Sequence, residues 1–407
     1  MSSSQFPHEA IVVPCSSPNA YAVVRSLTPV GIRILALDHV PETPLRYSRR
    51  CRFRLCPDPG QSESRFVAAL LEIAARMNEK PVVFPTQDLH TVVLCRHRVE
   101  LEESVVFPFM DMDAALDCVD KRRMYPLAEG VGLLIPETHF PHEPNELLRM
   151  MPLLYRFPYV VKPAAKFEIC EGMPCRNFEF YLKYGTKALR CRDTRELLST
   201  FSDVWENGFS TVVQEEIEGP ASTLWAIDFY ASRDSLITGF HTGHKIRQLP
   251  SDFGTCTLGR SVEREGLLQT CSSLVKAIHF HGIGNVEFKE RDGNLYFLEI
   301  NPRPWQWLSL ATVSGVNLPL LAYRDLLNLS AGEVPRQRRS VLWVDLRRDA
   351  RHLRLFNGRS TSTERLGFLG WLRSVRLAKS EAISSMSDPF PLLAVAARKL
   401  ARKIWRK

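Results

Sequence analysis

GNVEFKERDGNLYFLEINPR, residues 284–303, predicts a β-hairpin, because apolar residues recur on both sides of a short turn. The pairing of the two strands depends on the length of that turn. A two-residue turn at Asp292-Gly293 pairs Glu287 with Leu298. A three-residue turn that places Asn294 in the left-handed region, which asparagine tolerates, pairs Glu287 with Glu299. We favour the three-residue turn and expect the two glutamates to face each other.

Oxygen-bearing side chains collect on one face of this predicted hairpin. Alternation along the second strand places Asn301 on the face that carries Glu287 and Glu299. Two carboxylates opposite each other repel unless a cation lies between them. Oxygen ligands without Cys or His select a hard cation, and Mg²⁺ beside nucleotide phosphates is the natural choice. Arg303 can reach a phosphate oxygen with its planar guanidinium. A solvated surface hairpin is the alternative interpretation.

The string VEFK…YFLEINPR resembles the signature of the ATP-grasp superfamily, whose second strand typically ends in E-x-N-x-R. The resemblance implies that Glu287, Glu299 and Asn301 hold Mg²⁺ on ATP, with Mn²⁺ as a metal that can substitute. It implies that Arg303 contacts the transferred phosphate. It also implies an ATP-grasp fold, which is α/β overall and α+β in its nucleotide-binding part.

Further positions resemble the nucleotide-binding residues of this superfamily. Lys162, in the strand YVVKP, resembles the lysine that touches the α-phosphate, and a lysine on a buried strand is otherwise costly. Lys121, in DKRRMY, resembles the lysine before the first nucleotide-binding strands. The linker between the two subdomains is expected to read adenine through its backbone and to hold the ribose with an acid, either Glu216 or Glu218. Its residues are Gln214, Glu215, Glu216 and Ile217.

A basic pair follows in the segment HKIRQLP, residues 244–250. It resembles a strand and loop of amide-forming relatives. We expect Lys245 and Arg247 to lie on one strand face and to act on the γ-phosphate, the acyl phosphate or the substrate carboxylate. A surface basic pair is the alternative. One departure from the family is the loop after Lys162, where relatives carry several glycines and this chain carries only Gly172.

The motifs divide the chain into three regions. Residues 1–118 predict a Rossmann-like domain, a pre-ATP-grasp domain by the resemblance, without the GxGxxG turn of dinucleotide-binding proteins. Its first unit, residues 10–38, is predicted as strand, helix and strand, and residues 104–108 as its last strand. Residues 119–330 are expected to form the ATP-grasp domain, with subdomains 119–215 and 216–330. Residues 331–407 form a basic C-terminal extension.

Composition limits the cellular setting and the partners. The chain has 407 residues and a formal net charge of +8, with no apolar run of the roughly 18 residues that a membrane span needs and no secretory signal, so we expect a cytoplasmic protein. The scattered cysteines are expected to be reduced thiols in or near the core. The basic amphipathic segment 392–407 could contact a membrane, but we favour docking on the body through Leu393, Leu400 and Ile404.

The implied activity is ligation. The enzyme is expected to convert a small-molecule carboxylate to an acyl phosphate with ATP and to join it to an amine, with an amino acid as the commonest substrate among the resembling enzymes. Biotin-carboxylase-like activation of bicarbonate and a non-catalytic ATP-binding protein are the alternatives. We expect no nucleic-acid partner, and the sequence does not indicate an oligomeric state. Trp225, Trp305 and Trp307 are candidates for lining the substrate pocket, with core packing equally plausible.

Overall fold

The computed structural model describes residues 6–167, 175–330, 332, 336–353, 366–383 and 385–404. In these ranges the chain forms three sheets with helices packed against them. None of the helices described there is long and apolar enough to cross a membrane.

The N-terminal region forms a four-stranded parallel sheet in the order β3-β2-β1-β4. The predicted strand–helix–strand unit at residues 10–38 is present. The predicted strand at residues 104–108 is reduced to one bridge between Val82 and Val106, and β3 had no clear sequence signal. The elements are β1 (Ala10–Val13), α1 (Pro18–Leu27), β2 (Ile34–Asp38), β3 (Arg52–Leu55), α2 (Glu63–Ala74), β4 (Val82–Pro85), α3 (Asp88–Arg96), α4 (Arg98–Leu101) and α5 (Met112–Asp117).

The middle region forms a four-stranded antiparallel sheet in the order β5-β8-β6-β7. Its buried side packs against α7 and α9 through apolar residues such as Leu147, Leu197 and Phe201. The elements are α6 (Lys121–Gly130), β5 (Thr138–His139), α7 (Pro144–Met150), β6 (Tyr159–Pro163), α8 (Arg176–Tyr184), β7 (Leu189–Cys191), α9 (Thr194–Glu206) and β8 (Thr211–Glu215).

The remaining strands form one seven-stranded sheet in the order β13-β12-β9-β10-β11-β14-β15. Two strands of the expected C-terminal extension, β14 and β15, complete its edge. The elements are β9 (Leu224–Ala231), β10 (Ile237–Leu249), β11 (Thr255–Ser261), α10 (Leu267–Ala277), β12 (Gly282–Arg291), β13 (Asn294–Asn301), α11 (Ser309–Val313), α12 (Leu318–Leu326), β14 (Leu342–Val344), α13 (Leu346–Asp349), α14 (Phe368–Val375), β15 (Ala378–Glu381) and α15 (Phe390–Ile404).

The core continues from the N-terminal sheet into the seven-stranded sheet on both faces. One apolar cluster joins Phe66 and Val83 to Phe229 and Val286, and a second joins the other face of the N-terminal sheet to Trp305 and Trp307. Burial of apolar surface across this junction holds the two sheets together. The N-terminal region therefore packs directly beside the strands that carry the predicted site.

The C-terminal helix α15 meets the N-terminal region at its beginning. Ser48 donates a hydrogen bond of 2.5 Å to Asp388, and the guanidinium of Arg49 lies 4.1 Å from the centre of the Phe390 ring. The predicted docking of Leu393 is wrong, because 57% of this residue is exposed. The side chains of Leu400 and Ile404 lie outside the described part of the structure.

Candidate active site

The hairpin β12–β13 has a two-residue turn, and the predicted three-residue turn is wrong. Asp292 and Gly293 both have positive φ, at 53° and 79°, and Arg291 pairs with Asn294. Phe288 pairs with Phe297, yet Glu287 pairs with Glu299, so Leu298 is the extra residue of a β-bulge. The predicted pairing of the two glutamates is therefore correct for a different reason, because the bulge supplies the shift that we assigned to the turn.

Asn301 lies beside the glutamate pair and has a defined orientation. Its Nδ2 donates to Glu299 Oε1 at 3.3 Å and to Asn285 Oδ1 at 3.1 Å. Asn285 is buried and directs its own Nδ2 to the Ile227 carbonyl at 3.4 Å. Because the Nδ2 of Asn301 donates to Glu299 and Asn285, its Oδ1 is turned toward the cationic groups nearby. Asn285, which we did not predict, thus orients a predicted metal ligand.

Lysines surround the two carboxylates. Lys245 is buried and its Nζ lies 3.5 Å from Glu287 Oε2. Burial raises the pKa of Glu299, but Lys166 and Lys121 outweigh that effect and hold the pKa below its usual range. More cations than carboxylates meet here, so the site has an excess of positive charge that suits polyphosphate.

Lys162 and Gln214 form a close pair on neighbouring strands. Lys162 Nζ donates to Gln214 Oε1 at 2.7 Å, and Gln214 donates through Nε2 to Thr138 at 2.7 Å. Burial, and to a lesser extent the charge of nearby Lys121, lowers the pKa of Lys162 to about 7. Lys121 donates to the Pro163 carbonyl at 3.2 Å, and burial lowers its pKa as well. Both lysines are partly buried, and the hydrogen bonds described here join them to neutral oxygens. An anionic ligand would therefore suit this pair.

The linker residues after Gln214 are held by neighbouring arginines. Arg291 Nη1 lies 2.5 Å from the buried carboxylate of Glu215, and Arg190 donates to both oxygens of Glu216 at 2.5 and 2.6 Å. The backbone N–H groups of Glu215 and Glu216 donate to the Glu137 and Pro158 carbonyls. Ile217 is buried, whereas Glu218 is exposed.

Arg247 does not share a strand face with Lys245, and the prediction that both lie on one face is wrong. Lys245 pairs with Gly259 and Arg247 pairs with Leu258, so a bulge at Ile246 turns the two side chains to opposite faces. The Arg247 guanidinium is bound to Asp349 through Nε at 3.0 Å and Nη2 at 2.5 Å, and to Ser374 at 3.0 Å. Periodicity alone could not reveal this, because a bulge interrupts the two-residue repeat.

Arg303 contacts one predicted metal ligand, Asn301, and one residue for which the sequence indicated no role, Asp88. Its Nη2 donates to Asn301 Oδ1 at 3.2 Å, and its Nε donates to Asp88 Oδ2 at 3.1 Å. Lys166, in the loop after β6, donates to Asp88 Oδ1 at 2.9 Å and to Asn301 Oδ1 at 2.8 Å. The only available signal for Lys166 was its place in the loop that covers phosphates in the resembling family. The expected glycine of that loop, Gly172, lies outside the described residues.

The three tryptophans separate into two environments. Trp305 and Trp307 are buried with their ring centres 5.2 Å apart, and Trp307 packs over Gly243 and Gly259, where a Cβ would come within 3.2 and 2.7 Å of its ring. Trp225 is partly buried, stacks on His244 at 5.2 Å and donates to Glu290 at 2.6 Å. Core packing therefore accounts for Trp305 and Trp307.

The residues of the site fit Mg²⁺ and ATP by their chemistry. Glu287, Glu299 and the Asn301 Oδ1 are hard oxygen donors on one face of the sheet. The surrounding cations supply charge for phosphates, and Lys162 lacks an anionic partner among its described hydrogen bonds. Such an arrangement suits transfer of a phosphoryl group, which requires positioning and charge neutralisation more than a protein nucleophile.

Comparisons with known proteins identify related sequences. A family model described as ATP-grasp in the biosynthetic pathway with Ter operon matches residues 254–347, which include the hairpin. D-aspartate ligase from Enterococcus faecium (strain Aus0004) is 24% identical over 328 residues, covering 76% of this chain and 75% of that protein.

Solved structures establish the fold. The ADP complex of an N5-carboxyaminoimidazole ribonucleotide synthetase matches with a TM-score of 0.63 and 15% identity, covering 85% of this chain and 84% of the other. L-amino acid ligase from Bacillus licheniformis matches with a TM-score of 0.56 and 15% identity, covering 81% and 78%. The biotin carboxylase domain of the 2-oxoglutarate carboxylase of Hydrogenobacter thermophilus matches with a TM-score of 0.61 and 16% identity, covering 83% and 73%.

Proposed function

We propose that this chain, which belongs to the ATP-grasp superfamily, is an ATP-dependent ligase that activates a carboxylate as an acyl phosphate and joins it to an amine. The observation that carries the proposal is the pair Glu287 and Glu299 with Asn301 on one sheet face, beside an excess of lysines and Arg303. The names of the D-aspartate ligase and the L-amino acid ligase support an amino acid as one substrate.

We assign roles in the first step to residues of this site. A substrate carboxylate oxygen attacks the γ-phosphorus of ATP, and the bond from that phosphorus to the ADP oxygen breaks. Lys162, Lys245 and Arg303 stabilise the negative charge that develops on the phosphoryl oxygens. Glu287, Glu299 and Asn301 would hold Mg²⁺, or Mn²⁺ in its place, which supplies charge neutralisation and orientation of the phosphates when bound. The products of this step are an acyl phosphate and ADP.

In the second step the amine attacks the acyl carbon, an amide bond forms and inorganic phosphate leaves. The amine loses one proton overall, so the net reaction converts ATP, a carboxylate and an amine into ADP, phosphate and an amide. We assign Lys245, which is buried and close to Glu287, to the carboxylate or the acyl phosphate. We assign the linker 214–217 to the adenine and ribose. The ATP requirement and the free cysteines of the described part are in keeping with a cytoplasmic enzyme.

The test is substrate-dependent nucleotide turnover. Purified protein is incubated with ATP, Mg²⁺ and pooled amino acids, and ADP, AMP, phosphate and pyrophosphate are measured beside a Glu299→Ala control. We expect ADP and phosphate in amounts that depend on particular amino acids and a loss of both in the control. AMP with pyrophosphate would overturn the acyl-phosphate mechanism. ADP release that requires bicarbonate and biotin instead of an amine would establish the carboxylase alternative.

A further inference from the structure

Four side chains close a ring in which cations and acceptors alternate. Lys166 and Arg303 each donate to Asp88, at 2.9 and 3.1 Å, and each donates to Asn301 Oδ1, at 2.8 and 3.2 Å. Lys166 also donates to the Ile300 carbonyl at 3.2 Å. Three members belong to the region of the nucleotide site, and Asp88 alone comes from the N-terminal domain, at the beginning of α3.

The N-terminal domain also holds the backbone on both sides of Arg303. Thr91 donates through Oγ1 to the Pro302 carbonyl at 3.1 Å. Asn19 donates through Nδ2 to the Pro304 carbonyl at 3.0 Å, and to the Thr86 carbonyl of its own domain at 2.9 Å. The domain thus contacts the residue before Arg303, the residue after it and its side chain.

The charged side chains of this ring are largely shielded from water. The side chains of Lys166, Asp88 and Arg303 are 9%, 15% and 17% exposed. Charged hydrogen bonds shielded from water direct side chains more strongly than exposed ones. Burial alone would raise the pKa of Asp88, but Arg303 and Lys166 lower it to about 2, so this carboxylate is ionised near neutral pH. One carboxylate between two cations orients both and still leaves a net positive charge for phosphate.

We propose that Asp88 is a positioning residue that holds Arg303 and Lys166 in place for the transferred phosphate, so that the N-terminal domain is a functional part of the nucleotide site. This inference rests on the proposed function of that site. A purely structural interdomain ion pair is the competing explanation. The two explanations predict different changes in ATP affinity when the Asp88 charge is removed. A positioning residue leaves the affinity unchanged or higher, because the phosphate site becomes more positive while the two cations lose their fixed orientation. A purely structural ion pair lowers the affinity together with kcat.

The experiment compares full-length Asp88→Asn, Asp88→Glu and Glu103→Gln with the unchanged protein. Glu103 is an exposed acid of the same domain and serves as the charge-matched control. We expect Asp88→Asn to lower kcat for ADP release by about 10–100-fold, the range for removing groups that orient active-site ligands. Its ATP affinity, measured by calorimetry, should be unchanged or higher. Asp88→Glu, which keeps the charge, should have an intermediate kcat, and Glu103→Gln should behave as the unchanged protein.

Several results would overturn the proposal. A parallel fall of kcat and ATP affinity in Asp88→Asn indicates a structural role only, and so does a kcat equal to that of Glu103→Gln. If Asp88→Asn does not fold, Asp88→Glu decides by the same two measurements, and its full activity rejects the proposal. If the unchanged protein releases no ADP with any substrate, the proposed ligase function fails, and the ATP affinity of Asp88→Asn still decides the role of Asp88. Tighter binding than in Glu103→Gln supports that role, and equal or weaker binding rejects it.

Discussion

Glu287 and Glu299 lie directly opposite each other on neighbouring strands although the turn between these strands would pair Glu287 with Leu298. A single extra residue restores the pairing, and the Leu298 carbonyl at this bulge accepts a hydrogen bond of 2.9 Å from Tyr125. The bulge is therefore held by a helix of another region. Bulges beside active sites re-aim side chains in this manner.

We expect Glu299→Gln and Glu287→Gln each to lower the Mg²⁺-dependent release of ADP on the order of 100-fold or more. This is a larger loss than that caused by removing a residue that only hydrogen-bonds to a metal ligand. The reason is that an amide is a weaker ligand for Mg²⁺ than a carboxylate. Calorimetry of ATP binding over a range of Mg²⁺ concentrations measures the effect without turnover. Glu290→Gln, on the same strand but paired with Arg264 and Trp225, is the control. An unchanged Mg²⁺ requirement in both variants would show that the two glutamates are not ligands of the metal.

Lys162 should make ATP binding dependent on pH. Its pKa is about 7 in the free protein, lowered first by burial, so it loses its proton as the pH rises above 7. Bound phosphate favours the ammonium form and raises the pKa, so ATP binding should take up a proton above pH 7 and weaken as the pH increases.

Calorimetry at pH 8 in two buffers of different ionisation enthalpy measures that proton uptake. Lys162→Arg, whose guanidinium keeps its proton at this pH, should abolish the part of the uptake that Lys162 contributes. Equal proton uptake in the unchanged protein and in Lys162→Arg would contradict this assignment.

Asp349 should be important for stability through Arg247. Asp349 is buried and also accepts hydrogen bonds from Thr257 at 2.6 Å and Trp371 at 2.8 Å. Asp349→Ala leaves the buried Arg247 guanidinium without its carboxylate, which should lower the free energy of unfolding by about 3–5 kcal/mol.

Urea denaturation followed by tryptophan fluorescence gives the stability change. Asp113→Ala, at an exposed carboxylate that pairs with Arg123, should stay within about 0.5 kcal/mol of the unchanged protein. If Asp349→Ala is as stable as Asp113→Ala but releases no ADP, then Arg247 would regain the catalytic role that the sequence suggested.

Gly259 should be intolerant of any side chain because Trp307 lies against it. A Cβ at this position would approach the ring to 2.7 Å. Gly259→Ala should therefore lower the free energy of unfolding by about 1–3 kcal/mol, as overpacking does. Gly130→Ala, where a Cβ has open space, is the matched control and should have little effect on the unfolding midpoint. Equal midpoints for the two variants would mean that Trp307 moves at no cost.

The local sequence indicated which residues make up the site, but it indicated their geometry less well. The order of Glu287, Glu299, Asn301 and Arg303 within one hairpin was readable because alternation along a strand is a local property. The same reasoning predicted the parallel unit at residues 10–38, since runs of β-branched residues and turn signals are also local. It was wrong where a bulge interrupts the repeat, at Leu298 and at Ile246.

Contacts between distant segments were decided only by the tertiary structure. Asp88 and Arg303 are 215 positions apart in the chain, and nothing near either residue in sequence indicates that they meet. The partner of Arg247 likewise comes from the C-terminal strands and helices, which complete the large sheet. Residue type and spacing determine which side chains can bind phosphate or metal. The packing of the N-terminal region against the large sheet determines which of them are oriented together, because that orientation depends on burial and on hydrogen bonds between the two.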